Sequence, residues 1–322
     1  MRLPEELLAA IQSEIEGVDA SALARASAEL TRRYKAADFH TPAITGRAQR
    51  AAYLAARLPA TYAANVSVFS EIHRLAPGVE IENLLDLGGG PGTSLFAAAE
   101  VFPLRKATVV ESDEVWLELG RNWALQSPRA ALHETQWLRH DLSANFDVPP
   151  HDLVVMSYVL GELPASAGQT VLRRAWACTR KILVIIEPGT MRGFATVLAA
   201  RDTLIADGAS LLAPCPHHDT CPMAAANDWC HFSQRLERSP LHRRIKGGSL
   251  AYEDEKFSYV AACKQHLPMA PSRIVRHPQK HSGHVQLTLC THQGLGTRTV
   301  TRSDRQRYKL ARHAEWGGPW EE

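Results

Sequence analysis

From residue 81 onward, short apolar runs alternate with stretches of helical periodicity, and this alternation limits the possible folds more than any other feature. It predicts an α/β fold with a parallel, doubly wound sheet, because each helix carries the chain back across the sheet. The predicted strands cover residues 81–87, 107–111, 136–140, 152–157 and 182–187. The predicted helices cover residues 93–101, 114–126, 171–179 and about 193–206.

A glycine-rich turn joins the first of these strands to its helix. Asp86 precedes the turn, which spans Gly88–Gly92, and its glycines permit a tight bend and a close approach of backbone to a ligand. The helix that follows offers unpaired N–H groups to an anionic group. Glu111 ends the next strand, where a carboxylate suits the ribose hydroxyls of a nucleoside.

The pattern Gly-x-Gly-x-Gly resembles that of class I S-adenosylmethionine (SAM)-dependent methyltransferases more than that of NAD dehydrogenases. The resemblance covers roughly residues 80–292. It implies a Rossmann-like, seven-stranded sheet, and a role for Asp86 at the methionine end of the cofactor. Asp141 follows the third strand and suits an adenine amino group, although a turn or helix cap is an equal alternative. The candidate cofactor contacts are Asp86, Gly88, Gly89, Gly90, Gly92, Glu111, Asp141, Leu142 and Ser157.

The segment after the fourth strand, residues 155–164, is where such enzymes usually bind the methyl acceptor. It lacks the Asn/Asp-Pro-Pro-Tyr motif of enzymes that methylate base amino groups, and the Pro-Cys motif of cytosine C5 enzymes. Methyl transfer depends mainly on proximity and alignment, so no side chain is required by the chemistry alone. The sequence therefore identifies no catalytic residue, and Ser157 and Tyr158 either line the pocket or pack in a turn.

Three cysteines lie close together in a segment rich in proline and histidine. Cys215, Cys221 and Cys230 have the spacing C-x5-C-x8-C. Loop thiolates bounded by prolines suit a metal, and four thiolates hold either zinc or an iron–sulfur cluster. Three unrelated buried thiols are the alternative interpretation.

The fourth ligand is chosen from the expected topology. Residues 256–263 are predicted as a parallel sixth strand and residues 285–290 as an antiparallel last strand, which returns Cys290 to the edge where the insertion begins. Cys263 would lie about 23 Å away, at the far end of its strand. The alternatives to Cys290 are His217, His218 and His231. This topology places the metal away from the cofactor pocket and favours a structural or docking role.

The formal net charge of +2 conceals an uneven distribution. Residues 231–322 hold 16 Lys and Arg against 8 Asp and Glu, whereas residues 1–230 hold 20 against 26. A basic C-terminal third suggests an anionic partner, RNA first, with a solvated basic surface as the alternative. The expected phosphate contacts are the basic residues of the insertion, Arg235, Arg238, Arg243, Arg244 and Lys246.

Three further motifs carry a resemblance to a known family: residues 46–62, Glu-Pro-Gly-Thr at residues 187–190, and Trp-Cys-His-Phe-Ser-Gln-Arg at residues 229–235 with residues 253–260. They resemble the methyltransferase-like proteins associated with small-subunit assembly in mitochondrial ribosomes, and their bacterial relatives. The resemblance implies association with small-subunit rRNA or a pre-ribosomal particle. It also implies an iron–sulfur (4Fe–4S) cluster, rather than zinc, on Cys215, Cys221, Cys230 and Cys290.

We expect an N-terminal helical region (1–79), a methyltransferase domain (80–300) containing a Cys-rich metal-binding insertion (213–246), and a basic tail (301–322). The leading hypothesis is a SAM-dependent methyltransferase with an RNA acceptor in ribosome biogenesis. A non-catalytic rRNA-binding assembly factor with an iron–sulfur cluster and a small-molecule methyltransferase are the alternatives. The acidic N-terminus and the lack of a long apolar run predict a cytoplasmic protein, with neither membrane association nor an obligate protein partner.

Overall fold

The computed structural model describes residues 1–36, 44–239, 242, 243, 245 and 250–321. The strands of the main sheet are β1 (Asn83–Leu87), β2 (Lys106–Glu111), β3 (Gln136–Arg139), β4 (His151–Ser157), β5 (Thr179–Pro188), β6 (Ser210–Ala213), β7 (Phe232–Glu237) and β8 (Tyr252–Cys263). Their order is β3-β2-β1-β4-β5-β8-β6, with β7 paired to the first half of β8. Strands β1 to β5 pair in parallel, whereas β8 is antiparallel to both β5 and β6. This order is that of the class I methyltransferase sheet, so the predicted fold class is confirmed.

Helices flank the sheet, as the alternating sequence pattern predicts. They are α1 (Glu5–Ile15), α2 (Ala20–Ala36), α3 (Arg47–Ala52), α4 (Leu58–Leu75), α5 (Thr93–Val101), α6 (Glu114–Gln126), α7 (Ala130–His133), α8 (Ala165–Ala177), α9 (Met191–Ala206), α10 (Pro222–Ala225) and α11 (Arg305–His313). A π-helical turn, Tyr53–Arg57, connects α3 to α4, and a 3₁₀ turn, Leu160–Glu162, follows β4. The middles of the central strands β4 and β5, residues 153–156 and 182–186, are wholly apolar and buried because helices cover both of their faces.

Two strand assignments from the sequence are wrong. The sixth strand is β6, which the sequence pattern did not reveal, and the strand predicted sixth and parallel, residues 256–263, is the antiparallel strand β8. Residues 285–290 do not join this sheet at all. The physical reason is length: four residues show too little alternation to be recognised, yet their hydrogen bonds complete the sheet beyond β8.

A second sheet holds the C-terminal strands. It consists of β9 (Ser272–Ile274), β10 (Gln279–Lys280), β11 (His284–Thr291) and β12 (Gly294–Thr301), with the order β10-β11-β12 and β9 paired to β11. Helix α11 contacts β11 and β12, and Ala311 and Trp320 are buried in a small apolar core with Leu287. The segment expected to be a basic tail is therefore part of a packed unit.

Helical periodicity over residues 5–39 predicts one helix that a break at Thr41-Pro42 ends, but the N-terminal region contains two helices. Gly17 adopts φ +72° between α1 and α2, which ends the first helix, and Asp19 accepts a hydrogen bond from the Ala22 N–H at the start of the second. The predicted break at Thr41-Pro42 lies outside the described residues. In the described part of the chain, no helix is both long enough and apolar enough to cross a membrane.

Candidate functional site

The glycine-rich loop, Gly88–Gly92, lies between β1 and α5 at the carboxyl end of the sheet. Gly88, Gly90 and Gly92 have φ values of +71°, +54° and +83°, a region that other residues rarely adopt. The N–H groups of Gly88 and Gly89 donate to the Val110 carbonyl at 2.8 and 3.2 Å. A Cβ at Gly88 would lie 2.4 Å from Val159, whereas a Cβ at Gly90 would meet nothing within 4 Å. The part of the loop at Gly90, which we call its crest, is therefore open to a ligand.

Glu111, at the end of β2, holds the loop from the side. Its Oε2 accepts from the Gly90 N–H at 3.0 Å, and its Oε1 accepts from the N–H groups of Ser112 and Asp113 at 2.7 and 3.0 Å. An ionised carboxylate offers about four acceptor positions, so Oε2 retains capacity for a hydroxyl donor. The geometry therefore allows the ribose contact that the sequence predicts.

Two buried polar side chains beneath the loop lack hydrogen bonds of standard geometry. Asp86 is 1% exposed, and neither carboxyl oxygen makes a hydrogen bond of standard geometry, although the Ser94 hydroxyl and the Leu95 N–H lie close to it; the Thr93 hydroxyl, at the start of α5, has no partner. Burial raises the pKa of Asp86 to about 7, an effect that the Ser94 hydroxyl opposes and the charge of Glu111 reinforces. Orphaned buried polar groups fit a site that is completed by a polar ligand.

The remaining predicted cofactor contacts flank the loop. Asp141 is exposed, and its Oδ1 accepts from the N–H and the hydroxyl of Ser143 at 2.8 Å, which lowers its pKa. Leu142 is buried in the core. The Ser157 hydroxyl accepts from Nδ2 of Asn65 at 2.9 Å. Asn65, fully buried on α4, was missed in the sequence, where one asparagine within an apolar helix was the available signal.

The segment after β4 is held by acidic residues. Tyr158 adopts φ +58°, and its hydroxyl donates to Glu255 at 3.0 Å. Glu187, buried at the end of β5, accepts from the Gly161 N–H at 3.0 Å, and burial raises its pKa to about 7. These contacts fix the backbone of the segment where an acceptor would enter, and the sequence did not predict either carboxylate.

The four predicted cysteine ligands line one pocket, which we call the cysteine pocket. It is formed by Cys215, Cys221, Cys230 and Cys290 with side chains of α9, β8 and β9. Burial raises the pKa of the Cys290 thiol to about 12 and raises the pKa of the Cys230 thiol well above its ordinary value, with the neighbouring cysteines adding to both shifts. Cys290 reaches the pocket from β11 of the second sheet, not from the main sheet as the topological argument assumed.

Two arginines at the cysteine pocket are almost inaccessible to solvent. Arg201 on α9 is 3% exposed and Arg273 on β9 is 1% exposed. Arg273 donates to the carbonyls of Pro214 and Gly317 and pairs with Glu71. Nε of Arg201 and Nη2 of Arg273 make no hydrogen bond of standard geometry, and Arg201 lies close enough to the Cys215 thiol to oppose the rise in its pKa that burial causes. Buried guanidinium groups with free N–H donors favour an anionic occupant of the pocket.

The alternative histidine ligands have different surroundings. Nε2 of His217 lies 3.6 Å from the Cys290 sulfur, and this residue also lines the cysteine pocket. His218 accepts from the Leu211 N–H at 3.0 Å, and the His231 ring stacks on Trp229. Among the described residues, no three Cys, His, Asp or Glu side chains are arranged to hold a single metal ion.

Two of the five basic residues expected to contact phosphate are paired with carboxylates, whereas Nε of Arg243 has no hydrogen-bond partner. Arg235 pairs with Asp254 at 2.8 Å, and Arg238 pairs with Glu253 at 2.8 Å. The pairing arises because β7 lies beside the acidic first half of β8, and the contact of these two side chains with RNA phosphates stays a prediction. Arg244 and Lys246 lie outside the described residues.

The strand order and the glycine-rich loop define a protein with the class I methyltransferase fold. Within that class, the chain belongs to the family described as mitochondrial small ribosomal subunit Rsm22, whose family model matches residues 47–321. The match includes the glycine-rich loop, the cysteine pocket and α11.

Two curated proteins illustrate the relationship. The chain is 29% identical over 288 residues to the human ribosome assembly protein METTL17, mitochondrial, a match that covers 82% of this chain and 61% of that protein. It is 24% identical over 321 residues to the mitochondrial Rsm22-cox11 tandem protein 2 of Schizosaccharomyces pombe, covering 83% and 42%. The chain thus spans less than two thirds of the length of these relatives.

Solved structures of methyltransferases also align with the chain. Magnesium protoporphyrin IX methyltransferase from Synechocystis with bound SAM aligns with a TM-score of 0.43 and 11% identity, over 78% of this chain and 99% of that one. The N-methyltransferase NodS from Bradyrhizobium japonicum, in complex with S-adenosyl-L-homocysteine, aligns with a TM-score of 0.40 and 10% identity, over 63% and 87%.

The family assignment corrects one expectation from the sequence. A cytoplasmic protein was expected from the acidic N-terminus, but the family and both curated relatives are named as mitochondrial. Those names point to mitochondria, so the cytoplasmic expectation is wrong. The acidic N-terminal residues were weak evidence for localisation, because they show only that this stretch lacks the composition typical of a targeting segment.

Proposed function

We propose that this chain is a SAM-binding, methyltransferase-like protein that associates with rRNA during assembly of the small ribosomal subunit. The observation that carries the cofactor part is the open crest of the glycine-rich loop, held by Glu111 above Asp86 and Thr93, two buried polar groups without hydrogen bonds of standard geometry. The ribosomal part is supported by membership of the Rsm22 family and by the name of the human relative, a ribosome assembly protein.

In the proposed cofactor site, Glu111 receives the ribose hydroxyls on Oε2, and Gly88, Gly89, Gly90 and Gly92 shape the loop. Asp86 attracts the amino group of the methionine moiety, whose positive charge would favour the ionised carboxylate. Asp141 and Leu142 form the side of the site that would bind adenine, and Ser157 lies on the side where the methyl acceptor would enter. SAM would supply an electrophilic methyl group, and these residues would supply its alignment.

Calorimetric titration with S-adenosyl-L-homocysteine tests this site. Glu111→Gln should weaken binding at least about tenfold, because the carboxylate contributes charge-assisted hydrogen bonds. Asp113→Asn is the matched control: Asp113 accepts from the Val115 N–H at the start of α6, and its substitution should leave affinity nearly unchanged. Wild-type protein that binds neither SAM nor its product would refute the cofactor proposal.

We also propose that Cys215, Cys221, Cys230 and Cys290 hold a 4Fe–4S cluster. The support is that all four thiols line one pocket, beside two buried arginines whose free N–H donors suit sulfur ligands of negative charge. The resemblance to the family favours the cluster over zinc. A bound cluster would cross-link the insertion to the second sheet, which assigns it a structural role.

Anaerobic purification with analysis of iron, acid-labile sulfide and zinc tests the metal proposal. The wild-type protein should contain iron and sulfide in equal amounts and absorb visible light. Cys290→Ser should lose most of this iron, whereas Cys263→Ser should retain it, because Cys263 is buried on β8 outside the cysteine pocket. Stoichiometric zinc in a colourless wild-type sample would decide against the cluster.

A second candidate function is a non-catalytic assembly factor that retains the fold. The segment after β4 favours it, since it lacks a recognised acceptor motif and the Tyr158 hydroxyl is engaged by Glu255. Methyl mapping of small-subunit rRNA with and without the gene separates the two. A lost methyl group supports catalysis, whereas unchanged methylation with fewer mature subunits supports the non-catalytic role.

A further inference from the structure

Positive charge in the C-terminal unit is concentrated between residues 279 and 313. This segment contains Lys280, Arg298, Arg302, Arg305, Arg307, Lys309 and Arg312, and its one acidic residue is Asp304. Asp304 neutralises Arg307 at 3.7 Å. In the described part of the chain, the other six cations have no carboxylate partner, unlike Arg235 and Arg238 of the insertion.

Two of these cations, Arg302 and Arg312, lie at the end of the second sheet where β10 turns into β11. The guanidinium of Arg302 lies 5.9 Å from the centre of the Tyr308 ring, and the Tyr308 hydroxyl donates to the Ser282 carbonyl. Arg312, one turn further along α11, donates to the His281 carbonyl at 3.5 Å. Helix α11 is thereby held against the turn between β10 and β11, and Arg312 lies beside that turn.

The same turn presents a pair of stacked rings. The rings of His281 and His284 are 4.5 Å apart with an interplanar angle of 21°, and His281 is exposed. Exposed rings beside unpaired cations are the combination with which proteins bind unpaired nucleotides, because bases stack on rings while cations contact phosphates. We call Lys280, His281, His284, Arg302, Tyr308 and Arg312 the α11 patch.

We propose that the α11 patch binds single-stranded RNA, with Lys280, Arg302 and Arg312 on the phosphates and a base stacked on His281. This inference rests on the proposed association with rRNA and assigns the surface responsible for it. Single strands fit better than a duplex, because duplex bases are already stacked on each other and cannot use the histidine rings. The assignment also moves the expected RNA contact from the insertion to the second sheet.

Binding of a fluorescent single-stranded RNA to the full chain tests the proposal. The double variant Arg302→Gln with Arg312→Gln should bind at least about tenfold more weakly at low salt. The slope of log affinity against log salt should fall by about 1.4, which is about 0.7 for each lost phosphate contact. His281→Ala should weaken binding to single strands more than binding to a duplex.

The matched control is Arg2→Gln with Arg235→Gln. It removes the same charge from exposed arginines that are paired with Glu237 and Asp254, so RNA affinity should change by less than about twofold. Thermal melting of both double variants verifies that each is folded, and all four arginine side chains are exposed enough to be replaced without disturbing a core.

The outcomes separate this proposal from the broader function. Wild-type protein that binds no RNA would refute both. RNA binding that is equally weakened by the control variant, or unaffected by the α11 variant, would leave the rRNA association standing and overturn the assignment of the surface. Equal affinity for polyglutamate and for RNA would identify a nonspecific cationic surface and would also overturn it.

Discussion

The glycine-rich loop and the cysteine pocket are assembled in opposite ways. Asp86, Gly88–Gly92 and Glu111 belong to one β–α–β unit, and the loop is held by its own backbone and that of β2. The cysteine pocket combines three cysteines of the insertion with Cys290 from the second sheet, and arginines from α9 and β9. One site is local in sequence, whereas the other exists only because distant segments meet.

This difference has a consequence for stability. Around the loop, glycines avoid steric clashes and backbone hydrogen bonds fix the conformation. Single side chains there should therefore act mainly through their contacts with a ligand. Around the cysteine pocket, buried charges such as Arg273 tie the second sheet to Glu71 on α4. Removing one side chain there leaves the other buried and unpartnered, which is costly.

The largest effect is expected at Arg273. Arg273→Met should lower the free energy of unfolding by about 3–5 kcal/mol, because Glu71 and two carbonyls lose a buried partner. Arg74→Met is the matched control: it pairs with the same Glu71, but its side chain is 48% exposed, so it should cost less than about 1 kcal/mol. Urea unfolding measures both. Similar small losses of unfolding free energy in both variants would contradict the proposed link between the cysteine pocket and α4.

Asp86 should make stability depend on pH. Because burial raises its folded pKa to about 7 from 3.8, the folded protein holds this proton more tightly than the unfolded chain. The free energy of unfolding should therefore fall between about pH 4 and pH 7, by up to roughly 4 kcal/mol from this group. Asp86→Asn should flatten that dependence, measured by urea unfolding at several pH values.

Asp141 provides a control in which the pH dependence of stability has the opposite sign. Its pKa is lowered by hydrogen bonds from Ser143, so Asp141→Asn should lose a small stabilisation that is present only above the ordinary carboxyl pKa. Part of the pH dependence should survive in Asp86→Asn, because burial also raises the pKa of Glu187 to about 7. An identical pH profile in wild type and Asp86→Asn would contradict the buried-carboxyl interpretation.

Two glycines of the loop should respond differently to the same substitution. Gly88→Ala should destabilise the protein by about 2–4 kcal/mol, since it combines a positive φ with a Cβ that would lie 2.4 Å from Val159. Gly90→Ala meets open space and should cost only about 1–2 kcal/mol, from its φ of +54°. Thermal melting and titration with S-adenosyl-L-homocysteine should show Gly90→Ala reducing affinity more than stability; the reverse result would argue against a ligand at the crest.

The smallest effect is expected for Asp141→Ala. The lost Asx turn should reduce stability by less than about 1 kcal/mol, because the carboxylate is exposed and its partner Ser143 is two residues away. If Asp141 contacts the adenine amino group, affinity for S-adenosyl-L-homocysteine should also fall, but by less than in Glu111→Gln. Unchanged affinity would leave Asp141 as a turn residue only.

Local patterns in the sequence were sufficient for one site and insufficient for the other. Helices 93–101 and 114–126 were predicted to the residue, and the glycine-rich loop lies where its strand–helix context indicated. Cys290 was chosen with a wrong topology, since residues 285–290 belong to the second sheet and not to the main one. The choice still placed Cys290 with Cys215, Cys221 and Cys230, by a different structural path.

The sequence by itself determined the α/β alternation, the glycine-rich loop with its acid on the next strand, the clustered cysteines and the basic C-terminal third. Periodicity and turn chemistry are properties of neighbouring residues, so a single chain displays them directly. Tertiary structure alone decided that β6 completes the sheet, that Arg201 and Arg273 are buried beside the cysteines, and that Arg235 and Arg238 are ion-paired. Pairing and burial depend on partners far apart in the chain, whose positions no local pattern specifies.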